Sequence, residues 1–491
     1  MLQTEMSLDM EFKSILDEVT NDLIKNRIRE QNETTDDSAS TEEDNKTAKE
    51  SSATENKITV VDSIMGSGKT EAMLEMIRND TEHKYLYVTP LCSEVERVIK
   101  STNHRMKQPF YIDNRKLNGL HERLREGVDI VTTHSLFLLA TPETVHLIKD
   151  GGYTLILDEV LDVLRNVNEL VKELDCKTVK KADIQWLIYE HALSVDDSFN
   201  CAWTSSVVDD FQYSEIVRMC LDGTLRCIDD TLFCEFPVSV FDAFERIYIL
   251  TYQFRGTVFD SYLKLHGLEY DLLSAKRTGE NSFELCDYVD DLDIRKDISR
   301  LITVYEGVYN EIGKKPYALS VTNLTNMSRD RISGMRKAMR NVKNYFGAFS
   351  ADLMLTTSMH NDFHLKLEQN GFKYIHKLSS EELALPEEEL KKLRCFVPCN
   401  ARATNDYSDR NTAMYMLNKY PPPEVAKYFN RLGVPIDEKV YATNELIQWI
   451  WRSRIRNGEP INLYLPSSRM RKLLYDWLGR NDVPENISEA V

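Results

Sequence analysis

Short apolar runs rich in β-branched residues alternate with segments of helical character from residue 57 onward. Runs of this length, bounded by polar or turn-forming residues, predict β-strands. In the first half of the chain they are 58–62, 85–90, 128–133, 153–158 and 246–251. Because continuous apolar strands separated by helices are typical of a parallel sheet covered on both faces, the pattern predicts an α/β fold.

A second alternating block begins near residue 317. Its predicted strands are 317–321, 341–346, 395–397 and 461–465. Within the first block, residues 160–240 carry additional helical material to which the pattern assigns no role. At 491 residues the chain is too long for one ordinary core, which favours two or three domains.

The N-terminal region has a different pattern. Apolar residues at helical spacing over 7–30 predict an amphipathic helix. Residues 31–56 are almost free of aliphatic and aromatic side chains, so they cannot bury enough apolar surface to order the chain. We therefore predict four segments: an N-terminal helix with a disordered acidic linker (1–56), a first domain (57–272), an inter-domain linker (273–295) and a second domain (296–491).

The composition is that of a soluble globular protein, with 42% hydrophobic and 29% charged residues. No apolar run is long enough to span a bilayer, and the N-terminus lacks the form of a signal peptide. We therefore expect a cytoplasmic protein without a membrane partner. The nine cysteines are scattered, and Cys395 and Cys399 have no second pair nearby, which favours reduced thiols over a zinc site.

The net charge of −18 is unevenly distributed. Much of the acidity lies in residues 32–55, whereas 451–456 and 468–472 are basic. An acidic protein can still bind phosphates in a locally basic cleft, so the net charge does not exclude a nucleic-acid partner.

A glycine-rich turn follows the first predicted strand and leads into a segment of residues that favour a helix. Strand, loop and helix in this order are the context of a phosphate-binding P-loop, in which backbone N–H groups surround the anion. Lys69 would reach the β- and γ-phosphates of ATP, and the Thr70 hydroxyl would bind Mg²⁺. The predicted nucleotide-binding residues are Ser63, which stands where the usual pattern has glycine, and Met65, Gly66, Ser67, Gly68, Lys69 and Thr70.

Two carboxylates follow the apolar strand 153–158 at its C-terminal end, where α/β sheets place ligands. Asp158 is suited to hold Mg²⁺, directly or through water. Glu159 is suited to orient and deprotonate the water that attacks the γ-phosphate.

A basic and aromatic segment lies far down the chain. We predict a helix over 443–456, in which Gln448, Arg452 and Arg456, spaced by four, share one face. Arginine presented across a cleft to the γ-phosphate stabilises the charge that develops in the transition state. These three residues are therefore further catalytic candidates.

With these motifs the chain resembles superfamily 2 helicases of the DEAD/DEAH type, and more narrowly the replication helicases encoded by bacteriophages. The resemblance covers roughly residues 57–475. Its strongest elements are motif I at Ser63–Thr70, motif II at Asp158–Leu161 and motif VI at Gln448–Arg456. Motif II reads Asp-Glu-Val-Leu without the usual last acidic or histidine residue, and the two motif VI arginines are four apart where three is typical.

Weaker matches lie between these motifs. Thr89-Pro90 resembles motif Ia, Thr132–Ser135 motif Ib, Leu250–Tyr252 motif III and Asn400–Asn405 motif V. The resemblance implies nucleic-acid contacts from Thr89, Pro90, Thr132, His134, Arg402 and Thr404.

The resemblance implies two tandem RecA-like domains with ATP and Mg²⁺ bound between them. It implies an ATP hydrolase that couples hydrolysis to translocation and strand separation on nucleic acid, most simply single-stranded or forked DNA during phage replication. Replication proteins could bind the N-terminal arm. Two alternatives remain open from the residues: an ATP-driven translocase or remodeller that separates no strands, and a P-loop kinase or switch in which Arg452 and Arg456 are structural.

Overall fold

A computed structural model describes most of the chain from residue 56 to residue 480. The described residues are 56–173, 178–204, 213–279, 282–369, 372, 381, 384–386, 389–390, 393–399 and 406–480. The predicted helix over 7–30, nearly all of the acidic linker, Arg402 and Thr404 lie outside them. Among the described residues, no helix is long and apolar enough to cross a lipid bilayer.

Strands and helices alternate along the described residues. The strands are β1 (Ile58–Asp62), β2 (Lys84–Thr89), β3 (Ile130–Thr133), β4 (Tyr153–Asp158), β5 (Leu164–Asn166), β6 (Leu193–Val195), β7 (Cys201–Trp203), β8 (Leu225–Ile228), β9 (Thr231–Glu235), β10 (Arg246–Thr251), β11 (Tyr270–Arg277), β12 (Phe283–Asp287), β13 (Ile302–Val304), β14 (Leu353–Thr356), β15 (Thr412–Tyr415) and β16 (Ile461–Tyr464). The helices are α1 (Lys69–Asn79), α2 (Cys92–Ser101), α3 (Lys116–Glu126), α4 (His134–Phe137), α5 (Pro142–Gly151), α6 (Val167–Glu173), α7 (Lys181–Tyr189), α8 (Ser214–Leu221), α9 (Val238–Asp242), α10 (Val258–Leu265), α11 (Leu292–Ser299), α12 (Val321–Thr325), α13 (Arg329–Tyr345), α14 (Phe363–Lys366), α15 (Pro423–Arg431), α16 (Glu438–Ile450) and α17 (Ser468–Trp477).

The first sheet contains seven strands in the spatial order β12–β11–β1–β10–β4–β2–β3. The pairs from β11 to β3 are parallel, and β12 is antiparallel to β11. Separate clusters of buried side chains cover the two faces of this sheet. Burial on both faces explains why β1, β4 and β10 are continuous apolar runs, and the prediction of these three strands is confirmed.

The predicted linker over 273–295 is wrong in its first part. Strand β11 pairs with β1, with Ile58 opposite Tyr270, and β12 forms the edge of the same sheet. The first domain therefore continues to at least Asp287. The sequence signal was weak because much of β11 and β12 is only half-buried, so neither strand reads as a continuous apolar run.

The second sheet is fully parallel, in the order β13–β16–β15–β14. The predicted strand at 461–465 is confirmed as β16, but those at 317–321 and 341–346 are wrong. The first is a turn leading into α12, and the second lies in α13 and just beyond it. Buried residues of α13 recur at helical spacing (Met335, Ala338, Met339 and Val342), and this packing overrides local strand propensity. Of residues 395–397, Phe396 makes one isolated bridge with Leu355.

Residues 160–240 form a subdomain inserted after β4. It contains the antiparallel sheets β5–β9–β8 and β6–β7 and a small core of its own. Helix α15, from the second half of the chain, packs against this insert and the first domain. Tyr428 and Phe429 are buried in the first domain's core, and Arg431 pairs with Asp229 of the insert at 2.7 Å.

Candidate nucleotide-binding site

The predicted P-loop lies at the C-terminal end of β1 and leads directly into α1. Gly66 and Gly68 have φ angles of 83° and 94°, which residues with a side chain rarely adopt, so glycine is required for this turn. Ser63 donates its backbone N–H to Thr251, and its hydroxyl accepts the N–H of Ala275 at 2.9 Å. Serine at this unusual position thus ties the loop to its two neighbouring strands.

Lys69 lies inside the loop. Its ammonium donates to the carbonyl oxygens of Ser63 and Ile64, the latter at 3.2 Å. Burial lowers the pKa of Lys69 to about 8, although the negative charges of Asp62, Asp158 and Glu159 act to raise it. A lysine held in this way is positioned to exchange loop carbonyls for phosphate oxygens.

Asp158 and Thr70 face each other across the start of α1. The Thr70 hydroxyl lies 3.4 Å from Oδ1 of Asp158 and 3.5 Å from Oδ2. Burial raises the pKa of Asp158, whereas a hydrogen bond from the Tyr87 hydroxyl, 2.8 Å from Oδ2, favours the ionised form. A hydroxyl and a carboxylate together are ligands that Mg²⁺ prefers, so this pair fits the metal predicted from the sequence.

Tyr87 is a site residue that the sequence reasoning missed. It is fully buried in β2, and its hydroxyl orients the Asp158 carboxylate from behind. Its signal in the sequence was only an aromatic residue in an apolar strand, and pairing it with Asp158 requires knowledge that β2 lies beside β4.

Glu159 follows β4 in an uncommon backbone conformation. Its φ angle is +66°, in the left-handed region that few residues other than glycine adopt, and its N–H bonds to the Leu250 carbonyl at 3.0 Å. Such strained positions concentrate at functional sites. Asp158 and Glu159 both line the cleft in front of the P-loop.

The predicted continuous helix over 443–456 is wrong. Helix α16 ends at Ile450, and a 3-10 turn over Arg454–Asn457 follows. The Ser453 hydroxyl donates to the Ile450 carbonyl and accepts the backbone N–H of Ile455, which caps the 3-10 turn. The chain therefore bends between Arg452 and Arg456. Arg452 and Arg456 therefore do not share a helical face with Gln448.

The bend nevertheless brings all three residues to the nucleotide cleft. Gln448, Arg452 and Arg456 line the same cleft, of about 2530 Å³, as Lys69 and Glu159. Arg452 is buried, with 7% of its surface exposed. Arg456 lies at the cleft surface, where partial burial lowers its pKa and the charge of Glu94 in the first domain opposes that shift.

A hydrogen-bonded chain connects the two domains beside this cleft. The Gln448 amide donates to Asn444 at 2.7 Å, and the Asn444 amide donates to the Tyr252 carbonyl at 3.0 Å. The Tyr252 hydroxyl donates to Asp291 at 2.6 Å and accepts from the Trp477 indole at 2.8 Å. Tyr252, in the segment that resembles motif III, is thus a junction between domains.

The structure does not bring all predicted nucleic-acid contacts to the surface. Thr89 and Thr132 are buried, with at most 2% exposed, because the strands that carry them are covered on both faces. His134 is 8% exposed, and its Nε2 bonds to the Asp158 carbonyl at 2.9 Å. Thr89 and His134 line the cleft despite their burial, Thr132 does not line it, and Pro90 is the most exposed of these four described residues.

Comparison with known proteins identifies the family. The chain is 31% identical over 443 residues to the SPbeta prophage-derived uncharacterized protein YonV of Bacillus subtilis (strain 168), covering 86% of this chain and 98% of that protein. Residues 296–478 match the family described as the YonV C-terminal Rossmann-like domain. The chain belongs to the YonV family.

Solved structures show a related fold at low sequence identity. A structure described as XPD_APO aligns with 87% of this YonV-family chain and 96% of its own, with a TM-score of 0.51 and 14% identity. Another structure, described as XPD_Helicase, aligns with 86% of this chain and 95% of its own chain, with a TM-score of 0.46 and 14% identity. The first likeness confirms the expected α/β fold with two domains built on largely parallel sheets.

Proposed function

We propose that this YonV-family protein is an ATP-driven nucleic-acid helicase. One observation carries the proposal: Lys69, Thr70, Asp158 and Glu159 of the first domain share a single cleft with Arg452 and Arg456 of the second. A cleft closed by cationic groups from a second domain is suited to bind a nucleoside triphosphate and to couple its hydrolysis to domain movement.

In this proposal the P-loop binds the phosphates of ATP. The backbone N–H groups at the start of α1 and the Lys69 ammonium supply the donors, and Lys69 gives up its bonds to Ser63 and Ile64 when it binds the phosphates. Thr70 and Asp158 would hold Mg²⁺, which neutralises charge that develops on the phosphate oxygens. Tyr87 keeps the Asp158 carboxylate oriented for this task.

Glu159 would orient the attacking water and accept its proton. Arg456 reaches the cleft from the second domain and would stabilise the transition-state charge, and the buried Arg452 would assist it. The Gln448–Asn444–Tyr252 chain would transmit changes at the cleft to the domain junction. Alternating closure and opening would then move the protein along a strand that it holds mainly through backbone phosphates.

The finer parts of the proposal follow from the resemblance. They are DNA as the nucleic acid, single-stranded or forked; a role in phage replication; a cytoplasmic location; and replication proteins as partners of the N-terminal arm. The prophage origin of the B. subtilis relative is compatible with a phage role.

The deciding experiment measures ATP hydrolysis without nucleic acid and with single-stranded DNA, duplex DNA or RNA, together with displacement of a labelled strand from a forked duplex. We expect stimulation by single strands and ATP-dependent displacement. Lys69→Ala should abolish both, whereas Lys100→Ala, at an exposed position on α2, should leave them intact. Stimulated hydrolysis without displacement would favour a translocase, and absence of ATP hydrolysis by the intact protein would reject the proposal.

A further inference from the structure

Helix α13 is strongly basic in an acidic protein. Only one of its 17 residues, Asp330, carries a carboxylate. Six are basic: Arg329, Arg331, Arg336, Lys337, Arg340 and Lys343. The whole chain carries a net charge of −18. A local charge reversal of this kind indicates a surface that attracts polyanions.

Three exposed cations lie on the outer side of α13. The inward side is formed by Met335, Ala338, Met339 and Val342. At 100° per residue, Arg329, Lys337 and Arg340 lie on the opposite side and are exposed, whereas Arg336 and Lys343 lie on the half-buried flanks of the helix. We call these five residues the α13 basic face. It extends about 20 Å at 1.5 Å per residue.

The cations of the α13 basic face are not neutralised by carboxylates in the part of the chain that the structure describes. The ion pairs found there involve none of the five residues. The Arg340 guanidinium donates instead to the neutral amide oxygen of Gln369 at 3.1 Å, and the Gln369 amide donates to the Arg336 carbonyl.

Two aromatic rings lie exposed where α13 ends. Tyr345 is 70% exposed and Phe349 is 75% exposed. The ring of Tyr345 is held edge-on against Tyr305 and Phe346, with centroids 5.2 Å apart in each case. Exposed rings at the end of a row of cations are the combination that binds single strands, with cations on phosphates and rings stacked on bases.

We propose that the α13 basic face, with Tyr345 and Phe349 at its end, is a second nucleic-acid-binding surface, on the outside of the second domain and separate from the nucleotide cleft. None of these residues lines that cleft. The inference rests on the proposed function in naming nucleic acid as the polyanion. A contact outside the cleft would keep the protein on its strand while the cleft opens.

The test measures binding of a labelled single strand to the full chain by fluorescence anisotropy over a range of salt concentrations, without ATP. The double variant Lys337→Glu/Arg340→Glu should weaken binding at least tenfold at low salt. It should also reduce the slope of log affinity against log salt by about 1.4, because each phosphate contact contributes about 0.7. Lys100→Glu/Lys149→Glu makes the same change in net charge at exposed positions of the first domain and should change affinity less than twofold.

A third variant tests stacking. Phe349→Ala removes an exposed ring, so the fold should persist, and affinity for the single strand should fall at least threefold with the salt slope unchanged. Equal affinity of the wild-type and Lys337→Glu/Arg340→Glu proteins, or equal weakening by the two charge-reversal pairs, would overturn the inference.

ATP hydrolysis separates this inference from the proposed function. Hydrolysis without nucleic acid should be the same in Lys337→Glu/Arg340→Glu and wild type, since the α13 basic face lies outside the cleft. A chain that binds single strands through α13 but hydrolyses no ATP would contradict the helicase proposal alone. A chain that binds no single strand would contradict both.

Discussion

At the scale of single residues, the cleft contains charged side chains in buried surroundings and one residue in an unfavourable backbone conformation. Lys69 is half-buried with a lowered pKa, Glu159 has a left-handed backbone, and Arg452 is buried. Each arrangement costs free energy, so each requires support from the surrounding structure. Function is the simplest reason for all three to meet in one cleft.

Arg456 should affect the rate of hydrolysis more than ATP binding. Its contact would form fully in the transition state, so Arg456→Ala should lower kcat on the order of a thousandfold and change ATP affinity far less. Arg454→Ala is the matched control in the same turn, because the Arg454 guanidinium donates to the Pro460 carbonyl and lies near Glu459. Steady-state kinetics and nucleotide binding check this prediction. Comparable losses in both variants would indicate a structural role for the turn.

The pKa of Lys69 predicts a pH dependence of ATP binding. Because burial lowers this pKa from 10.5 to about 8, the ammonium in the free protein loses its proton as the pH rises through 8. ATP affinity and kcat/KM should therefore be maximal below pH 8 and fall about tenfold per pH unit above it. In Lys69→Ala the weak residual affinity should not show this fall. A profile for the intact protein that stays flat to pH 10 would contradict the assignment.

At the scale of elements, α15 connects the second half of the chain to the insert. The Tyr428 hydroxyl donates to Glu235, which is 2% exposed and also contacts Arg226 at 2.8 Å and His266 at 3.2 Å. Burial favours the neutral acid, but these three neighbours outweigh it and hold the pKa of Glu235 below its ordinary value.

Tyr428→Phe should destabilise the protein because it removes a donor from this buried carboxylate. The expected loss is about 1–3 kcal/mol in the free energy of unfolding. Tyr189→Phe, at a 78% exposed position, should change it by less than about 0.5 kcal/mol. Urea unfolding of both variants measures the difference. If Tyr428→Phe is as stable as Tyr189→Phe, α15 does not depend on this hydrogen bond.

At the scale of the whole molecule, residues 56–480 supply both sides of the cleft and the hydrogen bonds between the domains. The side chain and N–H of Asn56 bond to Asp271 at 3.0 Å each, which fixes the start of the first domain to β11. The cleft-lining residues that the structure describes lie between Met65 and Arg456.

Deleting residues 1–55 should therefore leave nucleic-acid-stimulated ATP hydrolysis within about twofold of the intact chain. Binding of replication proteins, if the N-terminal arm mediates it, should be lost. ATPase assays and a circular dichroism spectrum of the truncated protein check this. A collapse of hydrolysis with an unchanged spectrum would show that the arm contributes to the site.

Local sequence was enough to predict the first sheet's central strands, the glycine-rich loop after β1 and the two carboxylates after β4. In each case the information is local: β1, β4 and β10 are buried on both faces and therefore apolar throughout, and the loop requires glycine at Gly66 and Gly68. Candidate ligand-binding residues at the ends of such strands can be predicted because they directly follow an apolar run in the sequence.

Other features of the fold and of the site depend on packing between distant parts of the chain. Half-buried strands such as β11 and β12 carry too little apolar signal to be separated from a linker, and α13 has a strand-like segment whose burial on one side makes it helical. The hydrogen bond from Tyr87 to Asp158 and the presence of Arg456 and Lys69 in one cleft depend on contacts between residues distant in sequence. Such contacts are set by packing, whose free energy no local pattern contains.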